Sequence, residues 1–126
     1  MNIKFFRCQH CGNIIVKLID SKVPVVCCGD KMTELVPNTS DGAGEKHVPV
    51  VAIEGAKVNV KVGSVEHPMV EAHHIQFIVL ETSNGFQTKA LRPEEKPEAT
   101  FFLSEGEKAI AAYEYCNLHG LWKAEL

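Results

Sequence analysis

Four of the five cysteines in this chain lie within its first thirty residues, and this cluster constrains the fold more than any other feature of the sequence. The cluster falls in residues 1–36, a segment below the roughly 40 residues that a hydrophobic core usually needs without a disulfide, a metal or a partner subunit. One of these three must therefore stabilise the fold of this segment. Two cysteines separated by two residues can bind one ion, and a second pair completes the four thiolates of a tetrahedral metal site. The four are Cys8, Cys11, Cys27 and Cys28.

The second pair is unusual because Cys27 and Cys28 are adjacent. Adjacent thiolates do not easily reach ideal tetrahedral angles together, so we expect a distorted site. A structural zinc site and a vicinal disulfide are the alternative interpretations, and either would also staple the segment. His10 lies between the two cysteines of the first pair, and as a solvent-facing loop residue it is assigned no role.

Charge and hydropathy exclude several classes of partner. The formal net charge is −3, and the 13 basic residues form no run, unlike the clustered Lys and Arg of a nucleic-acid-binding surface. The N-terminal residues lack the apolar run of a signal peptide, and no stretch approaches the roughly 20 apolar residues that span a bilayer. We expect a cytoplasmic protein with no nucleic-acid or membrane partner. In a reducing compartment, an odd number of cysteines favours metal ligands over disulfides.

Residues 37–44 are turn formers with almost nothing to bury. We place a linker there, between a small domain at 1–36 and a larger domain at 45–126. In the small domain, short β-branched runs at 14–16 and 23–26 predict small strands joined by turns.

Period-two patterning predicts β-structure in the larger domain. Three valines alternate with polar residues in 57–62, as in a half-buried strand. Residues 75–80 form a β-branched and aromatic run typical of a core strand, and the Ser83-Asn84-Gly85 that follows favours a hairpin turn. The stretch 105–115 contains helix formers, but its alternating tyrosines favour a strand in its second half. The chain is therefore predicted to be all-β, with an antiparallel sandwich of about seven strands.

A second group of possible ligands lies in the later part of the chain. It consists of five histidines and one cysteine: His47, His67, His73, His74, His119 and Cys116. A lone histidine is more often a surface or satisfied core residue than a ligand, but four histidine-containing loci weaken that interpretation. Cys116 and His119 could instead be a nucleophile and its base, which would leave the other histidines unexplained. Imidazoles with a thiolate suit iron, zinc or copper, and spacing does not choose among these metals.

Several motifs resemble the desulfoferrodoxin family. Cys8-Gln9-His10-Cys11-Gly12 and Val26-Cys27-Cys28-Gly29 resemble desulforedoxin. Residues 45–50, 63–69 and 113–125 resemble the superoxide reductase domain of desulfoferrodoxin. The resemblance covers essentially the whole chain, and it is specific because several motifs occur in the family's order and spacing.

The resemblance implies a desulforedoxin-like, metal-stapled domain at 1–36, with a ferric Fe(Cys)4 centre held by the four N-terminal cysteines. At 45–126 it implies a superoxide reductase domain, folded as an immunoglobulin-like antiparallel β-sandwich. This domain would hold a ferrous Fe(His)4Cys centre with an axial thiolate and an open sixth position. Its ligands would be His47, His67, His73, His119 and Cys116. The family usually has an aromatic residue after its third histidine, where this chain has His74; alignment favours His73 as the ligand, with His74 tuning hydrogen bonds.

The resemblance also implies an activity: one-electron reduction of superoxide to hydrogen peroxide, with re-reduction by rubredoxin or a similar donor. Lys46 would attract superoxide and help to deliver a proton, and Glu45 would close onto the sixth position once the iron is oxidised. A homodimer is implied as well. The alternatives from other classes are a non-catalytic iron electron-transfer protein and a zinc-stabilised binding module.

Overall fold

The computed structural model describes residues 2–126 and separates into two compact units. The first unit ends at Val36, and the second comprises Pro37–Leu126. Strands make up nearly all of the regular structure of the described residues, which confirms the all-β fold. No helix among residues 2–126 is long and apolar enough to cross a membrane.

The first unit, as described from residue 2 onward, contains five short strands in two antiparallel sheets. They are β1 (Phe5–Arg7), β2 (Ile14–Val16), β3 (Val26–Cys27), β4 (Asp30–Lys31) and β5 (Thr33–Leu35). One sheet has the order β2-β1-β5, and β3 pairs with β4 alone. The strand predicted at 14–16 is confirmed. The strand predicted at 23–26 is wrong except for Val26, because Pro24 has no N–H to contribute to a ladder and Val23 is exposed.

The second unit, which the structure describes completely, contains a four-residue helix and seven strands. They are α1 (Gly44–His47), β6 (Pro49–Glu54), β7 (Lys57–Val62), β8 (Ile75–Thr82), β9 (Gly85–Ala90), β10 (Glu98–Phe102), β11 (Ala109–Cys116) and β12 (Gly120–Glu125). The sheets have the orders β10-β7-β6 and β12-β11-β8-β9, and every pairing is antiparallel. These findings confirm the predicted sandwich, the hairpin between β8 and β9, and the strand in the second half of 105–115.

The two sheets pack face to face through alternate side chains, as in an immunoglobulin-like sandwich. Val58, Val60 and Val62 of β7 are at most 1% exposed and share one buried cluster with Ile78 and Leu80 of β8. Burying a side chain of this size contributes about 1.5–3 kcal/mol. The alternation in the sequence therefore fixes which face of β7 lies in the core.

One end of the sandwich gathers the termini of several strands. β11 ends at Cys116, which pairs with Gly120 at the start of β12 and with Ile75 at the start of β8. The backbone N–H of His67 donates to the carbonyl of Val62, the last residue of β7, at 3.0 Å. Only Val48 separates α1 from β6, whose first residue Pro49 pairs with Val62, so α1 also lies at this end.

Candidate metal centres

The first unit brings its four cysteines together. The sulfurs of Cys8, Cys11, Cys27 and Cys28 all lie within 4.8 Å of one another. All four are free thiols, so the vicinal disulfide is wrong. The first chelating loop is closed by its own backbone, because the N–H of Cys8 donates to the carbonyl of Asn13 and the carbonyl of Cys8 accepts from Gly12, both at 2.9 Å.

Backbone conformation explains how adjacent cysteines reach one point. Cys28 has a φ of 53° and Gly29 a φ of 82°, so the chain passes through the left-handed region at two consecutive residues. This region costs an ordinary L-residue roughly 1–2 kcal/mol and is free for glycine. The turn directs the Cys28 thiol back to the side on which the Cys27 thiol lies. The two sulfurs are consequently within 4.8 Å of each other, although the residues are adjacent.

Two thiols of the first cluster, those of Cys8 and Cys28, have pKa values shifted in opposite directions. The N–H of Cys11 donates to the Cys8 sulfur at 3.4 Å and lowers the pKa of Cys8 to about 6. Hydrogen bonding with the neighbouring sulfurs raises the pKa of Cys28 to about 12, and the hydrogen bond with Cys11 has the largest effect. Four thiolates at this spacing cannot all ionise near neutral pH unless a cation lies among them. The donor set therefore fits a tetrahedral metal ion.

The second unit gathers three histidines around a buried cysteine. Ligand atoms of His47, His67, His73 and Cys116 lie within 4.8 Å of one another, and Cys116 has no exposed surface. The ring of His119 lies beside them, with its centroid 4.9 Å from that of His47 and 5.1 Å from that of His73. These are the five ligands that the family resemblance implies for the second centre.

Backbone carbonyls fix three of the four imidazole rings. The Nδ1 atoms of His47, His67 and His119 bond to carbonyl oxygens at 2.8, 2.7 and 2.8 Å. The acceptors belong to Ala43, Pro68 and Asp41 respectively. A carbonyl oxygen only accepts, so each Nδ1 carries the proton and each neutral ring keeps its free lone pair on Nε2.

Two of these lone pairs face each other. The Nε2 atoms of His47 and His67 are 3.2 Å apart, and neither has a hydrogen to donate. Burial lowers the pKa of His67 to about 4, so protonation does not relieve the contact near neutral pH. The Nε2 of His73 is also buried and has no hydrogen-bond partner among residues 2–126. A metal ion would satisfy all three nitrogens and the buried thiol, so the residues present fit the implied iron.

The helix α1 places Glu45 and Lys46 beside this cluster. Both side chains are exposed, and Lys46 lines a shallow groove of about 430 Å³ with His67 and Met69. The positive charge of Lys46 contributes, after burial and two neighbouring histidines, to the lowered pKa of His73. Lys46 is therefore close enough for its field to act on the cluster.

The two remaining histidines lie outside the clusters. The Nδ1 of His74 donates to the carbonyl of Glu71 at 3.1 Å, so the structure brings His73 rather than His74 into the second cluster. The Nε2 of His10 is 2.5 Å from a carboxylate oxygen of Asp30 and joins the two chelating loops of the first unit.

Sequence reasoning missed the groups that support the ligands. Residues 37–44, interpreted as a linker, supply the carbonyls of Asp41 and Ala43, and any residue can supply a carbonyl. Trp122 stacks on His47 with centroids 4.9 Å apart and donates from Nε1 to the carbonyl of His119 at 3.0 Å. Gly42 is the one available signal, since a Cβ there would lie 3.2 Å from both the His47 and Trp122 rings.

Known proteins resemble this chain along its whole length. The Desulfoferrodoxin family model matches residues 39–125. The desulfoferrodoxin of Nitratidesulfovibrio vulgaris is 45% identical over 122 residues, covering 97% of this chain and 95% of the relative. The superoxide reductase of Pyrococcus horikoshii is 37% identical over 106 residues, covering 70% and 91%. The crystal structure of the superoxide reductase from Treponema pallidum superposes with a TM-score of 0.84 at 37% identity, covering 99% of this chain and 100% of that one. The four-cysteine and His4Cys clusters match the two-iron arrangement implied for the family, which confirms the expected cofactors.

Proposed function

Because the chain belongs to the desulfoferrodoxin family, we propose that it is a superoxide reductase that converts superoxide to hydrogen peroxide in its second unit. The observation that carries the proposal is the convergence of unprotonated imidazole nitrogens on the buried Cys116: the Nε2 atoms of His47 and His67 face each other, and that of His73 has no hydrogen-bond partner among residues 2–126. The superoxide reductases among the relatives support an oxidoreductase.

The reaction needs one electron and two protons for each superoxide. Iron held by His47, His67, His73, His119 and Cys116 would supply the electron, with the thiolate donating electron density that favours the transfer. The protein must then attract an anion and deliver protons. Glu45 and Lys46 are the residues to which we assign these tasks.

Lys46 attracts the substrate and provides a proton. Within residues 2–126 its ammonium forms no salt bridge, so its charge is available to a small anion. At a separation of roughly 6 Å the attraction is worth about 0.7–3 kcal/mol, depending on whether the effective dielectric is near 80 or near 20. The ammonium also carries a transferable proton on Nζ.

Glu45 has a hydrogen-bonded backbone and an exposed side chain. Its carbonyl accepts from the N–H of Val65 at 2.8 Å and from the hydroxyl of Ser64 at 3.2 Å. Its exposed carboxylate can therefore change position without disturbing α1. In our proposal the carboxylate closes the substrate position in the oxidised, resting protein.

Further parts of the proposal concern domains, location and partners. Residues 1–36 form a desulforedoxin-like iron domain, 37–44 a connecting segment, and 45–126 the superoxide reductase domain. Rubredoxin or a similar donor returns the electron, and the free thiols suit a reducing, cytoplasmic location. The first unit exposes Leu18, Ile19 and Val23, which a second copy would cover in a homodimer.

Product analysis tests the activity. The reduced protein is exposed to a superoxide source while hydrogen peroxide and dioxygen are both measured. We expect one peroxide for each superoxide consumed and no dioxygen. Dioxygen release in proportion to superoxide, or no acceleration of superoxide loss, would contradict the proposal.

Metal analysis of the same preparation separates the remaining alternatives. Two irons per chain with a coloured protein are expected, whereas zinc in a colourless protein would favour the binding module. A non-catalytic electron carrier would contain both irons and leave superoxide loss unaccelerated.

A further inference from the structure

His73 differs from the other imidazoles of the second cluster. His47, His67 and His119 each have an Nδ1–H held by a backbone carbonyl. Among the described residues, 2–126, no hydrogen bond holds either ring nitrogen of His73. Its ring packs edge-on against those of His67 and His119, and its ligand nitrogen lies within 4.8 Å of the Cys116 sulfur. Its orientation must therefore be set by the backbone that carries it.

That backbone is a tight turn outside the regular strands. Val70 and His73 bond to each other in both directions, at 3.1 and 3.0 Å, and enclose a two-residue turn. β8 begins only at Ile75. Such a turn has few internal constraints, so a contact from another element is needed to hold it in place.

Asn117 supplies this contact on both sides of His73. Its Oδ1 accepts from the N–H of His74 at 2.9 Å, and its Nδ2 donates to the carbonyl of Ala72 at 3.0 Å. The N–H of Asn117 also donates to the carbonyl of His74 at 3.2 Å. Three hydrogen bonds therefore attach the residues before and after His73 to the residue that follows Cys116.

We propose that Asn117 is the positioning residue for His73 and holds this imidazole in register with the Cys116 thiol at the second metal centre. The inference rests on the proposed function in so far as His73 is a ligand there. Backbone carbonyls fix the orientation of the other three rings directly, through their Nδ1–H groups. Asn117 fixes the orientation of the His73 ring indirectly, by holding the main chain of the turn that carries it. Second-sphere groups of this kind typically change metal affinity or activity by about 10- to 100-fold when removed.

The amide is chemically suited to this role because it offers an acceptor and a donor on one rigid group. Asn117→Ala removes both side-chain bonds but keeps the backbone bond to His74. Asn117→Asp keeps the acceptor for the His74 N–H but places a second acceptor opposite the Ala72 carbonyl, where the amide had a donor. The two substitutions disturb the turn in different ways, and the aspartate variant, which keeps the size of the side chain, is informative if the alanine variant does not fold.

The test measures how the second centre holds iron in the full two-iron protein. Release of iron from the reduced protein to a chelator is followed, together with the electron paramagnetic resonance spectrum of the oxidised second centre. Asn117→Ala should release second-centre iron about 10- to 100-fold faster and show an altered spectrum, and Asn117→Asp should also release it faster than the unchanged protein because its carboxylate faces the Ala72 carbonyl. The first centre serves as an internal reference and should be unchanged.

Asn59→Ala is the matched control. Its Nδ2 bonds to the Thr100 hydroxyl at 3.1 Å between β7 and β10, so the substitution also removes a side-chain amide bond. Wild-type release rates and spectra in both Asn117 variants would overturn the inference, as would equal acceleration in Asn59→Ala. Iron that binds normally without reducing superoxide would refute the proposed function alone, because the release comparison would still decide the role of Asn117.

Discussion

Replacing Gly63 with alanine tests how closely the turn after β7 must pack against α1. A Cβ on Gly63 would lie 2.7 Å from the carbonyl oxygen of Glu45, 3.0 Å from the carbonyl carbon of Lys46 and 3.1 Å from the carbonyl oxygen of Val48. These are main-chain atoms, which cannot move aside as the tip of a flexible side chain can. The substitution must therefore displace either the turn or the helix that carries Glu45, Lys46 and His47.

The cost follows from the contacts at this point. Forcing a methyl group into a packed site typically costs about 1–3 kcal/mol. Displacement also weakens the two hydrogen bonds that the Glu45 carbonyl accepts from Val65 and Ser64, each worth about 1 kcal/mol. We expect a loss of about 2–3 kcal/mol, which in a unit of this size lowers the melting temperature by about 10–20 °C.

Gly44→Ala provides the matched control. No atom lies within 4 Å of a Cβ built on Gly44, which belongs to the same helix, and its φ is ordinary. Alanine also favours a helix by about 1 kcal/mol over glycine, so this variant should melt at or slightly above the temperature of the unchanged protein. Calorimetry, second-centre iron content and superoxide consumption are measured on both. A Gly63→Ala protein that melts within about 2 °C of Gly44→Ala, with full activity, would refute the steric reasoning.

Three further substitutions address the chemistry of the second centre. Cys116→Ser should abolish the thiolate absorption of that centre and the activity while the first centre keeps its spectrum; simultaneous loss of both spectra would contradict two independent sites. Lys46→Ala should slow superoxide consumption and flatten its dependence on ionic strength, whereas the exposed Lys57 can be replaced with little effect; equal ionic-strength profiles would exclude steering by Lys46. Gly42→Ala should loosen iron binding because its Cβ meets the His47 ring at 3.2 Å, while Asp41→Ala keeps its carbonyl and should leave iron retention unchanged; similar retention in both would contradict the packing argument.

Patterns that repeat over a few residues were readable from the sequence. The alternating valines of β7 specify a strand and its buried face together, because side chains two residues apart share a face. The two-residue connection between Thr82 and Gly85 is likewise local. In the first unit, the strands β1, β4 and β5 are two or three residues long, too short for a period to appear. Their positions depend on pairing partners that the sequence does not show.

The ligand residues could be proposed from their chemistry and motif order, but their supports could not. The carbonyls of Asp41, Ala43 and Pro68 hold three imidazoles, and a carbonyl leaves no mark in the sequence. Asn117 has an informative side chain, yet its partners are main-chain atoms of a turn more than forty residues earlier. Only the folded register of β8 and β11 brings these groups together.

The second centre combines side-chain ligands with main-chain supports, and this combination affects which substitutions it tolerates. Where a ligand is held by a main-chain carbonyl, the identity of the supporting side chain matters little, and the site depends instead on how closely two backbones approach. That approach is limited at Gly42 and Gly63, where even one methyl group meets ring or main-chain atoms at 2.7–3.2 Å. Tolerance to substitution should therefore change sharply between neighbours such as Asp41 and Gly42. The rigidity of the centre comes from these close approaches as much as from its ligands, because they fix the rings before any metal is bound.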